Sequence, residues 1–224
     1  MTVRGDTLVD VPEREGDRTT APRSHRDQVA TRDGRRLRRD GNREMVVDAL
    51  LDLYAEGCLR PSAAKVASRA GCSPRSLFRY FADLDDLCRA AVQRQLERAR
   101  PLFELDVVPS ATLADRIESV VRQRLELFGA VAPAATVIRL RAPFQSTLAG
   151  ELRRNRKVLR QQLDQVFAPE LGAMTDSDAA ATLAALDVLC SFESVQLLQE
   201  DQGLDLEGAA AAMTRAVAAV LAFR

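Results

Sequence analysis

The chain has 224 residues, of which 46% are hydrophobic and 29% are charged, and its formal net charge is zero. This length suits one domain with a substantial core or two small domains, and the neutral total excludes an argument for nucleic-acid binding from net charge alone. The distribution is more informative, because residues 23–82 carry 13 Lys and Arg against seven Asp and Glu. Positive charge is concentrated there, as attraction to phosphates requires.

The residues that most often support catalysis or metal binding are scarce. The single histidine, His25, lies in a polar N-terminal region, and the four cysteines at 58, 72, 88 and 190 form no CxxC pair. A Ser-His-Asp or Cys-His arrangement is therefore excluded from the folded part, and no Gly-rich phosphate loop is present. We expect no enzymatic activity, no cofactor and no metal.

The cysteines and the absence of a leader indicate the compartment. No charged and then apolar leader opens the sequence, and no apolar run approaches 18 residues. These features predict a cytoplasmic protein with reduced thiols and no membrane association. We interpret the cysteines as small packing groups, with a redox sensor as the alternative.

Residues 1–35 show no hydrophobic periodicity, and we expect this extension to be disordered. It ends in a run of arginines directly before the first predicted helix: Arg32, Arg35, Arg36, Arg38 and Arg39. Two interpretations stay open. The run is either a basic arm that reaches phosphates or a minor groove, or a solvated tail that keeps the protein soluble.

The first helix is predicted from Arg38 or Asn42 to Glu56, within a first folded domain that spans residues 36–82. Its apolar stripe has helical spacing, and Gly57 follows its end. The stripe consists of Met45, Val46, Ala49, Leu50, Leu53 and Tyr54.

Two short helices separated by a turn follow. The first covers Ala63 to Ala70, with Ser62 as its N-cap and Gly71 at its end. The second has Ser73 as its N-cap and Pro74 at its first helical position. We expect Leu77, Phe78 and Phe81 to face inward, and the outer face to hold Arg75, Ser76, Arg79 and Tyr80. This pattern is typical of a helix-turn-helix, whose second helix enters the major groove of DNA.

Residues 83–224 are predicted to form a second, all-helical domain. Its first helix begins near Asp83, where an acidic run suits the positive end of the helix dipole. Prolines at 101, 109, 133, 143 and 169 are expected at helix edges. Between them we predict helices near 111–130, 134–142, 147–167, 177–201 and 205–222.

Residues 43–91 resemble the TetR/AcrR family of bacterial transcriptional repressors. The resemblance rests on VVDALLDLYAEG, VASRAGCS and SLFRYFADLDDL, and more loosely on QEDQGLDLEGAAAAM near the end of the chain. It implies an all-α protein of about nine helices, with an N-terminal three-helix DNA-binding domain and a C-terminal helical domain for ligand binding and dimerisation. It further implies a homodimer on a palindromic operator.

The resemblance places Ser62 and Lys65 against backbone phosphate and the second short helix against bases. Arg75 is the best candidate to read a base, since a guanidinium bonds guanine O6 and N7 together; Ser76 is the next choice. Tyr80 would bond phosphate through its hydroxyl. Near the start of the fourth helix, Leu84 occupies the position where the family often has a Lys. The candidate DNA-binding residues are Arg38, Arg39, Arg43, Ser62, Lys65, Ser73, Arg75, Ser76, Arg79 and Tyr80. For Arg69 and Arg79, a salt bridge to a carboxylate is an equally open interpretation.

The resemblance also implies a ligand pocket among the middle helices and a dimer interface formed by the last two helices. The alternative for the pocket residues is that they only pack in the core, and the alternative for the last two helices is that they pack within one chain. Candidate pocket residues are Phe103, Leu125, Phe128, Val137, Ile138, Leu140, Arg141, Phe144 and Phe192. For Arg139 and Arg141 we favour ion pairs with acidic groups such as Asp187 or Glu193 over an anionic ligand, because buried charges are usually paired.

These features together predict a ligand-responsive regulator, most simply a repressor, that an unidentified small molecule releases from its operator. Release would be a shift in population between two conformers of the dimer. The alternative is a helical partner-binding or ligand-binding protein whose helix-turn-helix is only structural. The operator, the ligand and the choice between repression and activation lie outside what the sequence specifies.

Overall fold

The computed structural model describes residues 25–105 and 111–222, with side chains from residue 39 onward. Within these residues there are ten α-helices and no strand, which confirms the all-α prediction. The helices are α1 His25–Ala55, α2 Ala63–Arg69, α3 Pro74–Tyr80, α4 Leu84–Arg98, α5 Leu113–Arg141, α6 Ser146–Val166, α7 Ala168–Leu171, α8 Asp176–Leu189, α9 Phe192–Gln196 and α10 Leu206–Ala222. By its contacts the chain divides into two units, Met1–Gly41 and Asn42–Arg224.

Helix α1 begins earlier than predicted. It starts at His25 instead of at Arg38 or Asn42, so residues 25–35 are helical where no regular structure was expected. These residues lack an apolar stripe, but they contain good helix formers and are continuous with a helix already established, so they bear no new nucleation cost. Residues 1–24, on which most of the expected disorder falls, lie outside the described part of the chain.

The ends of the short helices follow the predicted local chemistry. Ser62 Oγ accepts a hydrogen bond from the Lys65 amide at 3.3 Å, and Ser73 Oγ accepts one from the Ser76 amide at 3.1 Å. Gly57 and Gly71 have φ angles of 80° and 64°, which favour glycine because no Cβ is present to clash. The turn between α2 and α3 is therefore determined by residues within it.

The first hydrophobic core joins the helix-turn-helix to the middle of the chain. Leu53, Val66, Leu77 and Leu87 are fully buried in it, and it extends to Ala134, Val137, Ile138 and Leu148 of α5 and α6. The C-terminal half of α5 thus packs within the same core as α1 to α4. The unit Asn42–Arg224 accordingly extends across the boundary expected after Ala82.

Helix α5 is one continuous helix, and the predicted break at Pro133 is wrong. Pro133 lies inside Leu113–Arg141. A proline removes one backbone hydrogen bond and crowds the carbonyl four residues earlier, here that of the exposed Gly129. The buried apolar residues on both sides of Pro133 offset this local cost. Gln95 Nε2 also donates to the neighbouring Ala130 carbonyl at 2.8 Å.

The single helix predicted for 177–201 is also wrong, because the chain breaks at Ser191. Helix α8 ends at Leu189, and α9 begins at Phe192 and continues into a π-helical turn, Leu197–Asp201. Ser191 has an extended backbone, and its hydroxyl accepts from the Ser194 amide at 3.2 Å. A serine at this position offers the backbone an N-cap in place of helix continuation. The break turns Phe192 into the second core.

The second core surrounds α5 and contains Val120, Leu127, Phe167, Leu186 and Val217. The segment Leu113–Phe144 is long and apolar enough to cross a membrane by length and composition alone, and the bent pair Asp176–Leu189 and Phe192–Asp201 passes that test only when taken together. Helices α4, α6, α9 and α10 all pack against α5. Helix α5 is therefore apolar because it is the central helix of the core.

Candidate nucleic-acid interface and ligand cavity

Helix α3 presents one exposed face with Arg75, Phe78 and Arg79. These residues lie three and four positions apart and are therefore neighbours on the helix surface. Arg75 makes no hydrogen bond or ion pair within the described residues. The prediction that Phe78 faces inward is wrong, since it is 48% exposed. Leu77 and Phe81 fill the core one helical turn apart, and the residue that follows Leu77 is rotated away from them.

The predicted serines have capping roles. Ser73 Oγ caps α3 and lies 3.0 Å from Ser76 Oγ, while Ser62 Oγ caps α2. Each hydroxyl oxygen accepts from a backbone amide and keeps its own proton available to donate. Both helix ends are therefore fixed in position before any ligand is present.

Tyr80 connects α3 to α1. Its hydroxyl accepts from Arg79 Nη2 at 2.8 Å and from Asn42 Nδ2 at 3.2 Å. These two hydrogen bonds, the one from Arg79 first, lower the pKa of the Tyr80 phenol below its ordinary value. Arg79 thus meets a hydroxyl, not the carboxylate that the alternative interpretation required. Arg69 does form the ion pair considered for it, donating to both carboxylate oxygens of Glu56 at 2.7 Å.

The remaining candidates for phosphate contact differ in their surroundings. Lys65 Nζ lies 3.3 Å from Cys58 Sγ, and the guanidinium carbon of Arg43 lies 4.8 Å from the centre of the Phe81 ring. Arg38 and Arg39 belong to the other unit, Met1–Gly41, and the side chain of Arg38 lies outside the described residues. The geometry of the interface is therefore confined to Asn42–Arg224.

A small apolar cavity lies between α4, α5, α6 and α9. Its volume is about 60 Å³. Four of the nine candidate pocket residues line it: Phe103, Phe128, Ile138 and Phe192. The Phe128 and Phe192 rings meet edge to face with their centres 5.7 Å apart.

The other candidate pocket residues lie elsewhere. Leu125 lines a separate open groove of about 770 Å³ between α5 and α10, and Val137 is buried in the first core. Leu140 is exposed, and Phe144 is 86% exposed, because each lies on the side of its segment away from the core. Arg141 Nη1 donates to Asp85 Oδ1 at 2.5 Å. The expectation that these residues line one pocket together is therefore not met.

Several cavity residues were not anticipated: Val92, Gln95, Leu96, Leu152, Asn155, Arg156 and Leu159. They come from α4 and α6, whose apolar stripes are visible in the sequence. Which stripe faces a cavity depends on how the helices pack. Nothing in the sequence singles out Arg156, which is one of four arginines in α6.

Ion pairs hold Arg139 and Arg141 of α5 and Arg156 and Arg160 of α6. Arg139 Nε donates to Glu193 Oε1 at 2.9 Å, as the sequence analysis favoured, and Arg156 Nη2 donates to the same oxygen. Asp187 is 3.6 Å from Arg160 instead. The partner of Arg141, Asp85, was not anticipated; this pair ties the end of α5 to the start of α4.

Arg124 is completely buried and has no carboxylate within hydrogen-bonding distance among the described residues. It donates to Gln123 Oε1, to Gln162 Oε1 at 3.0 Å and to the Leu159 carbonyl at 2.9 Å. Burial lowers its pKa below the ordinary value. The two glutamines in turn donate to the carbonyls of Leu102 and Phe103, so this network joins α5 and α6 to the turn after α4.

The fold is that of the TetR-family transcriptional regulators. A TetR-family transcriptional regulator from Streptomyces coelicolor superposes with a TM-score of 0.63 and 19% identity, over 81% of this chain and 79% of that one. A transcriptional regulator from Rhodococcus sp. Rha1 gives a TM-score of 0.63 and 20% identity, over 80% of this chain and 95% of that one. A TetR transcription regulator from Haloarcula marismortui gives a TM-score of 0.54 and 18% identity, over 81% of this chain and 97% of that one. No family model matches the sequence, and no curated relative matches it.

Proposed function

We propose that this protein is a cytoplasmic, homodimeric transcriptional regulator that represses by binding a palindromic operator and is released by a small molecule. The observation that carries the proposal is the exposed face of α3. It presents an arginine without a partner among the described residues, on a helix fixed by a serine cap and a buried leucine. The shared fold supports the same conclusion.

Arg75 and Phe78 are suited to reading base edges. A guanidinium bonds guanine O6 and N7 together, and an apolar side chain contacts the thymine methyl group. The two side chains lie side by side on α3, so neighbouring bases would meet a charged and an apolar contact. Arg79 donates a hydrogen bond to the Tyr80 hydroxyl and is therefore better placed to bond phosphate than to contact a base edge.

The phosphate contacts would surround this face. Ser62, Lys65, Ser73 and Tyr80 lie at helix starts or on α3 itself, where hydroxyl, ammonium and amide groups position a protein on a duplex. The Lys that is frequent near the start of α4 in the family is replaced by Leu84, so the arginines before α1 would supply compensating charge. Arg38, Arg39 and Arg43 are the candidates for this role.

The dimer is proposed to form through α8 and α10. These helices pack on each other, and each leaves a face of small residues exposed. On α8 that face has Ala180, Ala181, Ala184 and Val188, and on α10 it has Ala211, Ala218, Ala219 and Ala222 together with one charged residue, Arg215. Small side chains allow close helix approach, and two recognition helices are needed for half-sites one helical turn apart.

Ligand response is proposed to pass through α4. The cavity is lined by α4 residues Val92 and Leu96 and by Ala134 and Ile138 of α5, and all but Leu96 are also buried in the helix-turn-helix core. A ligand larger than the cavity must widen the gap between α4 and α5. The ligand can weaken DNA binding only by as much as its affinity for the widened conformer exceeds its affinity for the closed one.

The proposal is tested by selecting duplexes from a random pool and titrating the selected duplex at several salt concentrations. A palindromic selection and a steep fall of affinity with salt are expected. The variant Arg75→Gln should lose sequence preference. Arg153→Gln, which removes an exposed arginine of α6, is the matched control and should bind as the parent does.

Two results would contradict the proposal. Recovery of no preferred sequence would favour a helical ligand-binding or partner-binding protein whose helix-turn-helix is structural. A palindrome bound equally well by the parent and by Arg75→Gln would show that Arg75 does not read a base. Ligand linkage is reciprocal, so a true effector must bind more weakly in the presence of the duplex.

A further inference from the structure

One rim of the small cavity carries an excess of positive charge. Arg139 of α5 and Arg156 of α6 both donate to Glu193 Oε1, and both arginines line the cavity. Two guanidinium groups against one carboxylate leave a net charge of about +1 where these three side chains meet, and the nearby Asp187 lies 3.6 Å from another arginine, Arg160. The interior behind it is formed largely by Phe103, Leu127, Phe128 and Ile138.

The same rim separates the cavity from an open groove. The groove has a volume of about 410 Å³ and shares Phe128, Arg139, Arg156, Leu159 and Phe192 with the cavity. The guanidinium carbon of Arg139 lies 4.1 Å from the centre of the Phe192 ring, so these two side chains form the partition together. Movement of the partition would join the apolar interior to an open entrance lined by charged residues.

Glu193 already shows which chemical group the rim accepts. Its carboxylate receives Arg139 Nε at 2.9 Å and Arg139 Nη2 at 3.4 Å, in the two-point geometry that arginine forms with carboxylates. Burial favours its neutral form, but the hydrogen bond from Arg139 and the charges of Arg139 and Arg156 together lower its pKa. The side chain of Glu193 is 46% exposed, so on displacement it would move into water at little cost.

We propose that the cavity binds an amphipathic monocarboxylate, with its hydrocarbon part among the phenylalanines and its carboxylate on Arg139 and Arg156 in place of Glu193. The inference rests on the proposed ligand-responsive function, and it assigns the chemical class of the ligand. Glu193 is then a built-in competitor that occupies the head-group position when no ligand is bound. Arg156 is the residue that distinguishes an anion from a neutral molecule of the same shape.

The test is calorimetric titration of the full-length protein with straight-chain carboxylates from hexanoate to decanoate and with the alcohols of the same lengths. Carboxylates should bind at least about tenfold more tightly than the matched alcohols, a difference of ~1.4 kcal/mol. Arg156→Gln should abolish that difference. Arg153→Gln, an exposed arginine on the same helix, should preserve it.

Glu193→Gln provides the sharper result, because it should tighten carboxylate binding several-fold while leaving alcohol binding unchanged. Equal affinities for carboxylates and alcohols, an unchanged or weakened carboxylate affinity in Glu193→Gln, or no binding of any probe would overturn the inference. Duplex binding by the same preparations separates the two proposals. If carboxylates fail to bind but sequence-specific duplex binding is intact, only the proposed ligand class is rejected. If carboxylates bind but no duplex is preferred, only the proposed regulatory function is rejected.

Discussion

At the scale of the residue, Phe78 is the least expected feature of α3. The ring is half exposed and lies beside Arg75 on the face proposed to meet DNA. The apolar pattern predicted that Leu77 and Phe78 both face inward, but adjacent residues of a helix point about 100° apart, so they do not both face the core. Because Leu77 and Phe81 are both buried, the helix is oriented with Phe78 toward its exposed side.

Replacement of Phe78 by Ala should weaken binding to the selected duplex by about 0.8 kcal/mol or more, because the burial of a thymine methyl against the ring is lost. Thermal stability should change little, since the ring is half exposed. The measurement is a titration of the parent and the variant with the selected duplex and with duplexes in which uracil replaces each thymine. An equal loss for both proteins at every uracil would show that Phe78 contacts no methyl group.

Arg124 is the second residue that the sequence did not reveal as special. It follows Val120 and Val121 at helical spacing and precedes Leu127 and Phe128, so it occupies a core position of α5. That placement was readable from the sequence. The partners that make burial tolerable were not, because Gln162 and the carbonyl of Leu159 come from α6.

Replacement of Arg124 by Met should destabilise the protein by at least about 1–3 kcal/mol, because buried amide and carbonyl acceptors lose their donor. The matched control is Arg122→Met, which removes an exposed arginine two residues earlier on the same helix. Chemical denaturation measures both. If the two variants are equally stable, the buried network contributes nothing to stability.

At the scale of the element, local capping chemistry was predictable and helix continuity was not. Ser62, Ser73 and Asp83 cap their helices through atoms within three residues, so the sequence alone contains the whole interaction. Pro133 and Ser191 were misjudged for opposite reasons. Burial on both sides of Pro133 outweighs its helix-breaking effect, whereas the cap formed by Ser191 ends a helix that the apolar pattern would have continued.

The contact between α5 and α7 gives stability a dependence on pH. Arg116 donates to Glu170 at 2.6 and 2.8 Å and to the Val166 carbonyl at 2.6 Å. The hydrogen bond from Arg116 lowers the pKa of Glu170 in the folded protein. The contribution of this pair is therefore fully present above the unfolded value of ~4.3 and is lost as pH falls from there through the folded pKa.

Replacement of Glu170 by Gln should lower the free energy of unfolding by about 1–3 kcal/mol at neutral pH, because a charge-assisted hydrogen bond is removed. The difference between parent and variant should shrink as the pH is lowered below ~4.3. The control is Glu118→Gln, at an exposed position of α5. A difference that stays constant from neutral to acid pH would show that the ion pair is not its source.

At the scale of the whole molecule, the sequence predicted the all-α class and the helix-turn-helix, because both depend on periodic patterns and caps within short segments. It did not predict that α5 takes part in both cores. The residues that join them, Ala134, Val137 and Ile138, form an ordinary apolar stripe, and only the packed structure shows that α4 lies against α5 and that this stripe belongs to the same core as α1. The site of the cavity was only partly predicted for the same reason.

Disruption of the proposed dimer face should separate assembly from folding. Ala184→Glu places a charge on the exposed face of α8, and it should convert the dimer to a monomer in sedimentation while leaving helical content unchanged. Operator affinity should fall with it, since two half-sites require two chains. Ala114→Glu, at an exposed position in the first turn of α5, is the control. A dimer that survives Ala184→Glu would place the interface elsewhere.

The most direct test of the whole account is the coupling between Arg75 and a guanine of the selected duplex. Affinity is measured for the parent and for Arg75→Gln, each with the duplex as selected and with single guanines replaced by 7-deazaguanine, which lacks the N7 acceptor. The account predicts that the parent loses about 1–3 kcal/mol at one guanine in each half-site and that Arg75→Gln loses nothing there. Identical losses in both proteins, or no loss in the parent at any guanine, would contradict it.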